Sequence, residues 1–149
     1  MSYIKNIYSV GDYNKTPGLK DVCNSYFYGH YELMLLTVPL LDKLPENSIV
    51  IPIPHAFLNN KLIKQNVISC FIYDYSKSSL NNIRGIRRVT EDDVSIYIDP
   101  DVHLSIEDKN IILLTDVVRT GCTINKCAKL INKKCDVVCL AVDNSSYRY

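Results

Sequence analysis

Residues 115 to 123 read Thr-Asp-Val-Val-Arg-Thr-Gly-Cys-Thr, which gathers a carboxylate, a guanidinium, a thiol and three hydroxyls around one glycine. Gly121 permits backbone angles that a side chain forbids, and Thr120 and Thr123 place hydroxyls on either side of it. An apolar-periodic run begins directly afterwards, so the loop is expected to open a helix. The first N–H groups of a helix have no internal partner and its dipole favours an anion there, so amides and hydroxyls converge on a site that suits a phosphate. A strand ending in Thr-Asp before a glycine turn is also common in α/β proteins. It resembles the magnesium-binding strand of P-loop ATPases, but those need G-x-x-x-x-G-K-[ST]. Glycines 11, 18, 29, 85 and 121 never form that pattern.

Two other stretches could act on an anion. Ile51-Pro52-Ile53-Pro54-His55 ends an apolar run, and its two prolines stiffen a loop that could present amides. His55 could donate there, although a histidine at a strand end is more often a hydrogen-bonded surface residue. Arg84, Arg87 and Arg88 are three of the chain's five arginines, in a molecule whose other cations are mostly lysines. A local switch to arginine suggests bidentate phosphate recognition, against the plain alternative of a solvated basic loop. The six cysteines contain no C-x-x-C pair, and Cys70 and Cys139 sit in apolar runs, so they read as small buried hydrophobes. A zinc site using Cys122, Cys127, Cys135 and Cys139 lacks the usual ligand spacing.

The elements that must position these groups alternate between strand and helix. Tyr3 to Val10 alternates loosely, as an outlying strand. Gly11 to Gly18 is a turn, and Leu19 to Leu44 is helical, with Tyr31, Leu35 and Val38 in register and Pro39 kinking or splitting it. Ser48 to Ile53 reads as a strand buried on both faces, Ala56 to Asn66 as a short helix carrying Leu58, Leu62 and Ile63, and Val67 to Tyr73 as a further strand. Asp74 to Asp93 is polar and rich in serine and asparagine, a mobile loop. Val94, Ile96 and Ile98 alternate as an edge strand. Ile111 to Leu114 is a buried strand, Ile124 opens a helix with Cys127, Ala128 and Ile131 on its sheet face and Thr123 able to cap it, and Val137 to Val142 is the last strand. An α/β fold follows, a mainly parallel sheet flanked by helices.

Length and composition bound the function. At 149 residues, 47% hydrophobic, the chain can fill one core and is too short for two ordinary domains. A single domain over residues 1–149 is expected, with its core at about 48–142. No run approaches the roughly 18 apolar residues of a membrane span, and Met1 to Val10 is too polar for a signal peptide, so a cytoplasmic protein is expected. A formal charge of +1 offers no sign of nucleic-acid binding.

The apolar strand followed by Thr115-Asp116, two apolar residues and Thr120-x-Gly121-x-Thr123 resembles the phosphoribosyl-pyrophosphate signature of the type I phosphoribosyltransferases. Ile51-Pro52-Ile53-Pro54 is similar to the pyrophosphate loop of the competence protein F branch. Two departures stand out: Thr115 occupies the place of the family's first acid, and Ala56 to Asn66 offers only Lys61 and Lys64 where that branch has arginines. The resemblance implies that fold with a minimal hood, and transfer of phosphoribose from phosphoribosyl pyrophosphate to a nitrogen acceptor, with Mg2+ held mainly through substrate rather than by protein ligands. Thr115, Asp116, Arg119, Thr120, Gly121, Cys122 and Thr123 would hold the ribose 5-phosphate, with Asp116 on a ribose hydroxyl. Pro54, His55, Ala56 and Arg88 would take pyrophosphate, while Arg84 and Arg87, on a closing loop, would join Asp116 in catalysis. Tyr147 and Tyr149 would lie near the base-binding end, where they could stack on a ring. The alternative is a non-catalytic ribose-phosphate-binding module of the same fold. A homodimer is left open.

Overall fold

The computed structural model describes residues 3–45, 48–53 and 110–149, together with the backbone of short strands between residues 57 and 98. β1 (Ile4–Asp12) is the expected outlying strand, continued through Gly11. In α1 (Leu19–Phe27), Leu19, Cys23 and Tyr26 recur at helical spacing and are buried. Gly29, at φ +117, then ends the helix in a conformation that favours glycine. A 3₁₀ segment covers Tyr31–Thr37, and α2 (Val38–Leu41) continues from it. The expected long helix therefore breaks at Gly29 and not at Pro39. Pro39 lies in the first turn of α2, where a missing N–H has no helical partner to lose.

β2 (Ser48–Pro52) is the expected apolar strand. β3 (Phe57–Leu58) and β4 (Lys61–Leu62) pair antiparallel, which corrects the helix read over Ala56 to Asn66. Leu58 and Leu62 fit a helical stripe, but they fit equally well on two strands separated by Asn59-Asn60, residue types that favour tight turns. Of the segment over 74–93 read as a mobile loop, two short strands are described. It contains β5 (Asn81–Asn82), paired parallel with β2, and β6 (Ile86–Arg88), paired antiparallel with β7 (Ile96–Ile98). The strand read at Val67 to Tyr73 lies outside the described residues. β8 (Asn110–Leu114), β9 (Val117–Val118), α3 (Cys122–Ile131) and β10 (Cys135–Val142) complete the chain.

The main sheet has the order β1-β10-β8-β2-β5, with β9 also on β10, and all its pairings are parallel. β10 is interior and its residues from Cys135 to Ala141 are buried, which is why it reads as an unbroken apolar run. Alternation divides its side chains between two layers. Cys135, Val137 and Cys139 pack with Ile111, Leu113 and Ile51 under Ile124, Cys127, Ala128 and Ile131 of α3. Val138 and Leu140 pack with Ile112, Leu114 and Val50 under Leu19, Cys23 and Tyr26 of α1 and Met34 and Leu41 beyond it. The fold is thus α/β, with helices on both faces of a parallel sheet.

The two ends of the sheet differ. At the N-terminal ends of the strands a polar network ties β1, β10, β8 and β2 together. Buried Asp136 accepts from Asn6 Nδ2 at 3.1 Å and Asn110 Nδ2 at 3.4 Å, and Lys5 Nζ stands 3.8 Å away. Asn110 Nδ2 also donates to Ser48 Oγ at 3.1 Å. At the C-terminal ends the loops are free to diverge. From β2 the sheet continues to β5 on one side, whereas from β8 the chain passes through α3 to β10 on the other. The crevice between β2 and β8 is therefore a topological switch point, where open α/β sheets bind their ligands. Among the described residues no helix is long and apolar enough to cross a membrane.

Candidate functional site

The crevice opens where β8 leaves β2. Among the described residues their last rung is Ile53 N–H donating to Leu114 O at 2.8 Å, after which the chain continues beside β10. Thr115 N–H donates to Val138 O at 3.0 Å, and Asp116 O accepts from Leu140 N at 2.8 Å and Ala141 N at 3.2 Å. β9 then continues along β10 in the same register. Thr115 and Asp116 sit at the fork, half-buried, with main chain fixed on β10. Asp116 Oδ1 accepts from Val117 N–H at 2.5 Å, and Thr115 Oγ1 lies 3.5 Å from the same oxygen. The carboxylate is aimed by its own backbone and carries a hydroxyl beside it.

The loop to α3 is held from behind. Gly121 is the N-cap residue at φ +88 and ψ 0, and its carbonyl accepts from both the amide and the Nδ2 of Asn125 at 3.0 Å. Asn125 is buried on the helix face that packs on the sheet, and its Oδ1 accepts from Tyr3 N–H at 3.3 Å. Cys122 N–H donates to Thr120 Oγ1 at 3.3 Å. The amides of Thr123 and Ile124 and the Thr123 hydroxyl have no hydrogen-bond partner among the described residues. Thr123 lies inside the first turn, so the cap expected of it is instead the glycine. These two amides and the hydroxyl are the open donors of the helix start.

Tyr147 and Tyr149, which the resemblance put near the base-binding end, pack against the glycine. A Cβ at Gly121 would stand 2.6 Å from Tyr147 Cε2 and 3.0 Å from Tyr149 Cδ2. Arg148 N–H donates to Thr120 O at 3.1 Å, which seats the tail on the loop. The Tyr149 hydroxyl is 3.7 Å from Cys122 Sγ. Hydrogen bonding with Thr120 and then with Tyr149 lowers the Cys122 pKa, and the charges of Arg148 and Lys126 act in the same direction. Helix N-termini commonly have this effect on a thiol.

The Arg119 side chain leaves the loop towards β1, and its guanidinium stands 4.9 Å from the centre of the Tyr13 ring. Beside it, Asp143 at the end of β10 is buried and accepts from Ser145 Oγ at 2.6 Å, Ser146 Oγ at 3.0 Å and Asn14 Nδ2 at 2.9 Å. The Ser145 hydroxyl first, then the Ser146 hydroxyl and the Ser145 amide, hold its carboxyl below the usual range. Asp12 at the end of β1 is lowered in the same way by the amides of Asn14 and Lys15, and Asn144 Nδ2 donates to it at 2.7 Å. Each loop thus lends an asparagine to the other's aspartate.

Thr115, Asp116, Arg119, Thr120, Gly121, Cys122 and Thr123 are brought together by one fork and one helix start. Pro54, His55, Ala56 and Arg84 lie outside the described residues. They follow β2 and β5, the two strands on the other side of the crevice, in sequence. Arg87 and Arg88 belong to β6, whose partner β7 runs close to α3. Of the cysteines weighed for zinc, Cys127, Cys135 and Cys139 are buried free thiols, Cys135 pushed up to about 12 and Cys139 higher still by burial. Among the described residues no three His, Cys, Asp or Glu side chains gather to hold a metal. Tyr13, Asn125 and Asp143 were not singled out by sequence reasoning. Only Asn125 carried a signal, as a polar residue bordering the apolar stripe of α3. No family model matches the chain, and no curated protein is significantly similar to it.

Proposed function

We propose that the chain is a phosphoribosyltransferase that binds phosphoribosyl pyrophosphate with Mg2+ and passes its phosphoribose to a nitrogen acceptor, on a fold of the type I phosphoribosyltransferase kind. The observation that carries this reading is the fork at the switch point, where Asp116 at the end of β8 is followed within one short loop by an open helix start. In the reaction the acceptor nitrogen forms a bond to ribose C1, the bond from C1 to pyrophosphate oxygen breaks, and pyrophosphate departs with the electron pair. The acceptor's proton is released to water. Positive charge builds on the sugar ring, so the protein's work is positioning and electrostatics. The amides of Thr123 and Ile124 and the hydroxyls of Thr120 and Thr123 would hold the 5-phosphate, and Asp116 would accept from a ribose hydroxyl. Arg84, Arg87, Arg88 and the 54–56 loop would face the leaving group. With a single carboxylate at the fork, Mg2+ fits only as an ion held chiefly by substrate oxygens, where it would offset the charge of the pyrophosphate. A cytoplasmic setting belongs to the same reading.

A second reading, a ribose-phosphate-binding module without catalysis, is favoured by Thr115. Its hydroxyl stands beside Asp116 where the family pattern has its first acid. Pyrophosphate release on mixing the protein with phosphoribosyl pyrophosphate, Mg2+ and a panel of amine and nucleobase acceptors separates the two. Release that depends on an acceptor establishes the transferase, whereas tight binding without release with any acceptor establishes the module.

A further inference from the structure

Two cations share one ring at the C-terminal end of the sheet. Tyr13, fixed by its N–H donating to Val142 O at 2.8 Å, has Arg119 Cζ at 4.9 Å and Lys20 Nζ at 5.4 Å from its ring centre. Lys20 and Arg119 are both exposed, and among the described residues neither reaches a carboxylate within ion-pair distance. Asp143, whose charge Arg119 does feel, is already saturated by Ser145, Ser146 and Asn14. Asp12 is likewise occupied by Asn14, Lys15 and Asn144. The ring draws both cations close, but it leaves their donor hydrogens uncommitted.

This pair stands at a defined place relative to Asp116. Tyr13 follows β1 and Asp116 follows β8, and the two strands flank β10. Through β10 the register sets Asp116 level with Val10, three residues before Tyr13, so two strand spacings and that offset put the two Cα positions roughly 14 Å apart. α1 lies over both, since Cys23, one turn beyond Lys20, feels the charges of Asp116 and Arg119. A ligand the size of a substituted ring could therefore react at the fork while an acidic group rests on Lys20 and Arg119.

We infer that Lys20, Tyr13 and Arg119 form a station for a carboxylate or phosphate group of the acceptor, so that the acceptor class is a nitrogen compound bearing a negative charge. The inference rests on the transferase reading for the word acceptor, but the station is testable without turnover. Guanidinium and ammonium donors on an aromatic platform suit an oxyanion that would otherwise have to leave water for a neutral surface.

The probes are benzoate and its neutral isostere benzamide, titrated into the full chain with ¹³C-labelled tyrosine rings and ¹⁵N amides, with and without saturating ribose 5-phosphate. Benzoate should shift the Tyr13 ring saturably, at least tenfold more tightly than benzamide, and should do so equally when ribose 5-phosphate is bound. Arg119→Gln and Lys20→Gln should each weaken benzoate about tenfold, and Arg119→Lys should restore part of the loss. Equal affinity for the two probes, unchanged benzoate affinity in both glutamine variants, or competition between benzoate and ribose 5-phosphate would each overturn the station. Ribose 5-phosphate that fails to shift the Gly121 and Thr123 amides would instead overturn the phosphoribosyl reading, whatever benzoate does at Tyr13.

Discussion

At the scale of single residues, Gly121 shows how one position serves two needs. Its φ of +88 opens the helix start, and the side from which a methyl would project is filled by Tyr147. Gly121→Ala should therefore destabilise the protein by about 1–2 kcal/mol from the left-handed backbone alone, with the ring clash added. Tyr147→Ala in the same chain should recover the clash but not the backbone cost, which thermal melts of the single and double variants would reveal as a coupling; strictly additive losses would mean that the tail does not rest on the glycine. Thr115 is the second instructive residue. A carboxylate in its place would add a charge-assisted hydrogen bond to a ribose hydroxyl, so Thr115→Asp should tighten ribose 5-phosphate binding by about 1 kcal/mol in the presence of Mg2+ and weaken it without, where the added charge meets the phosphate unscreened. Calorimetry under both conditions checks the sign, and weakening in both would show that no ribose hydroxyl is presented there.

At the scale of elements, the ends of the strands carry opposite roles. The N-terminal network is structural: Asp136→Ala should cost about 1.5–3 kcal/mol in a denaturant melt, because the hydrogen bonds from Asn6 and Asn110 to the buried Asp136 carboxylate are lost. At the C-terminal end, Asp12 and Asp143 both have folded-state pKa values below those of the unfolded chain, so the unfolded chain takes up protons first as pH falls. Their contribution to stability is therefore present above about pH 4 and lost as pH drops through the folded values. Melting temperature measured from pH 6 to pH 3 should fall less steeply for Asp143→Asn than for the native protein; parallel curves would remove the exchanged asparagines as a stabilising pair. How far the elements were legible follows from the same physics. β2, β8, β10 and α3 could be read because burial on two faces, or on one helical stripe, leaves an apolar period in the sequence. β3 and β4 could not, since two-residue strands are shorter than either period and Leu58 and Leu62 satisfy both. The break at Gly29 was missed because Pro39 is the louder signal, yet proline is harmless in a first turn. The seven residues of the 115–123 site were legible as one contiguous loop, whereas Tyr13 and Asp143 join it only through the pairing of β1 with β10, which no local pattern announces.

At the scale of the whole molecule, the topology unites what the sequence keeps apart. β2 and β8 are separated by 57 residues, Pro52 to Asn110 exclusive, yet Pro52 and Leu114 are partners at the mouth of one crevice. Any ligand large enough to touch both loops must sit where the sheet reverses its direction of growth. The most direct measurement is a calorimetric titration of the native chain and of Asp116→Asn with phosphoribosyl pyrophosphate, each with and without Mg2+. The account predicts saturable, Mg2+-dependent binding by the native protein, weakened by about 1.5–3 kcal/mol in the variant, the range for a hydrogen bond to a charged group. Absence of binding by the native chain, or equal affinity in the two proteins, would contradict it.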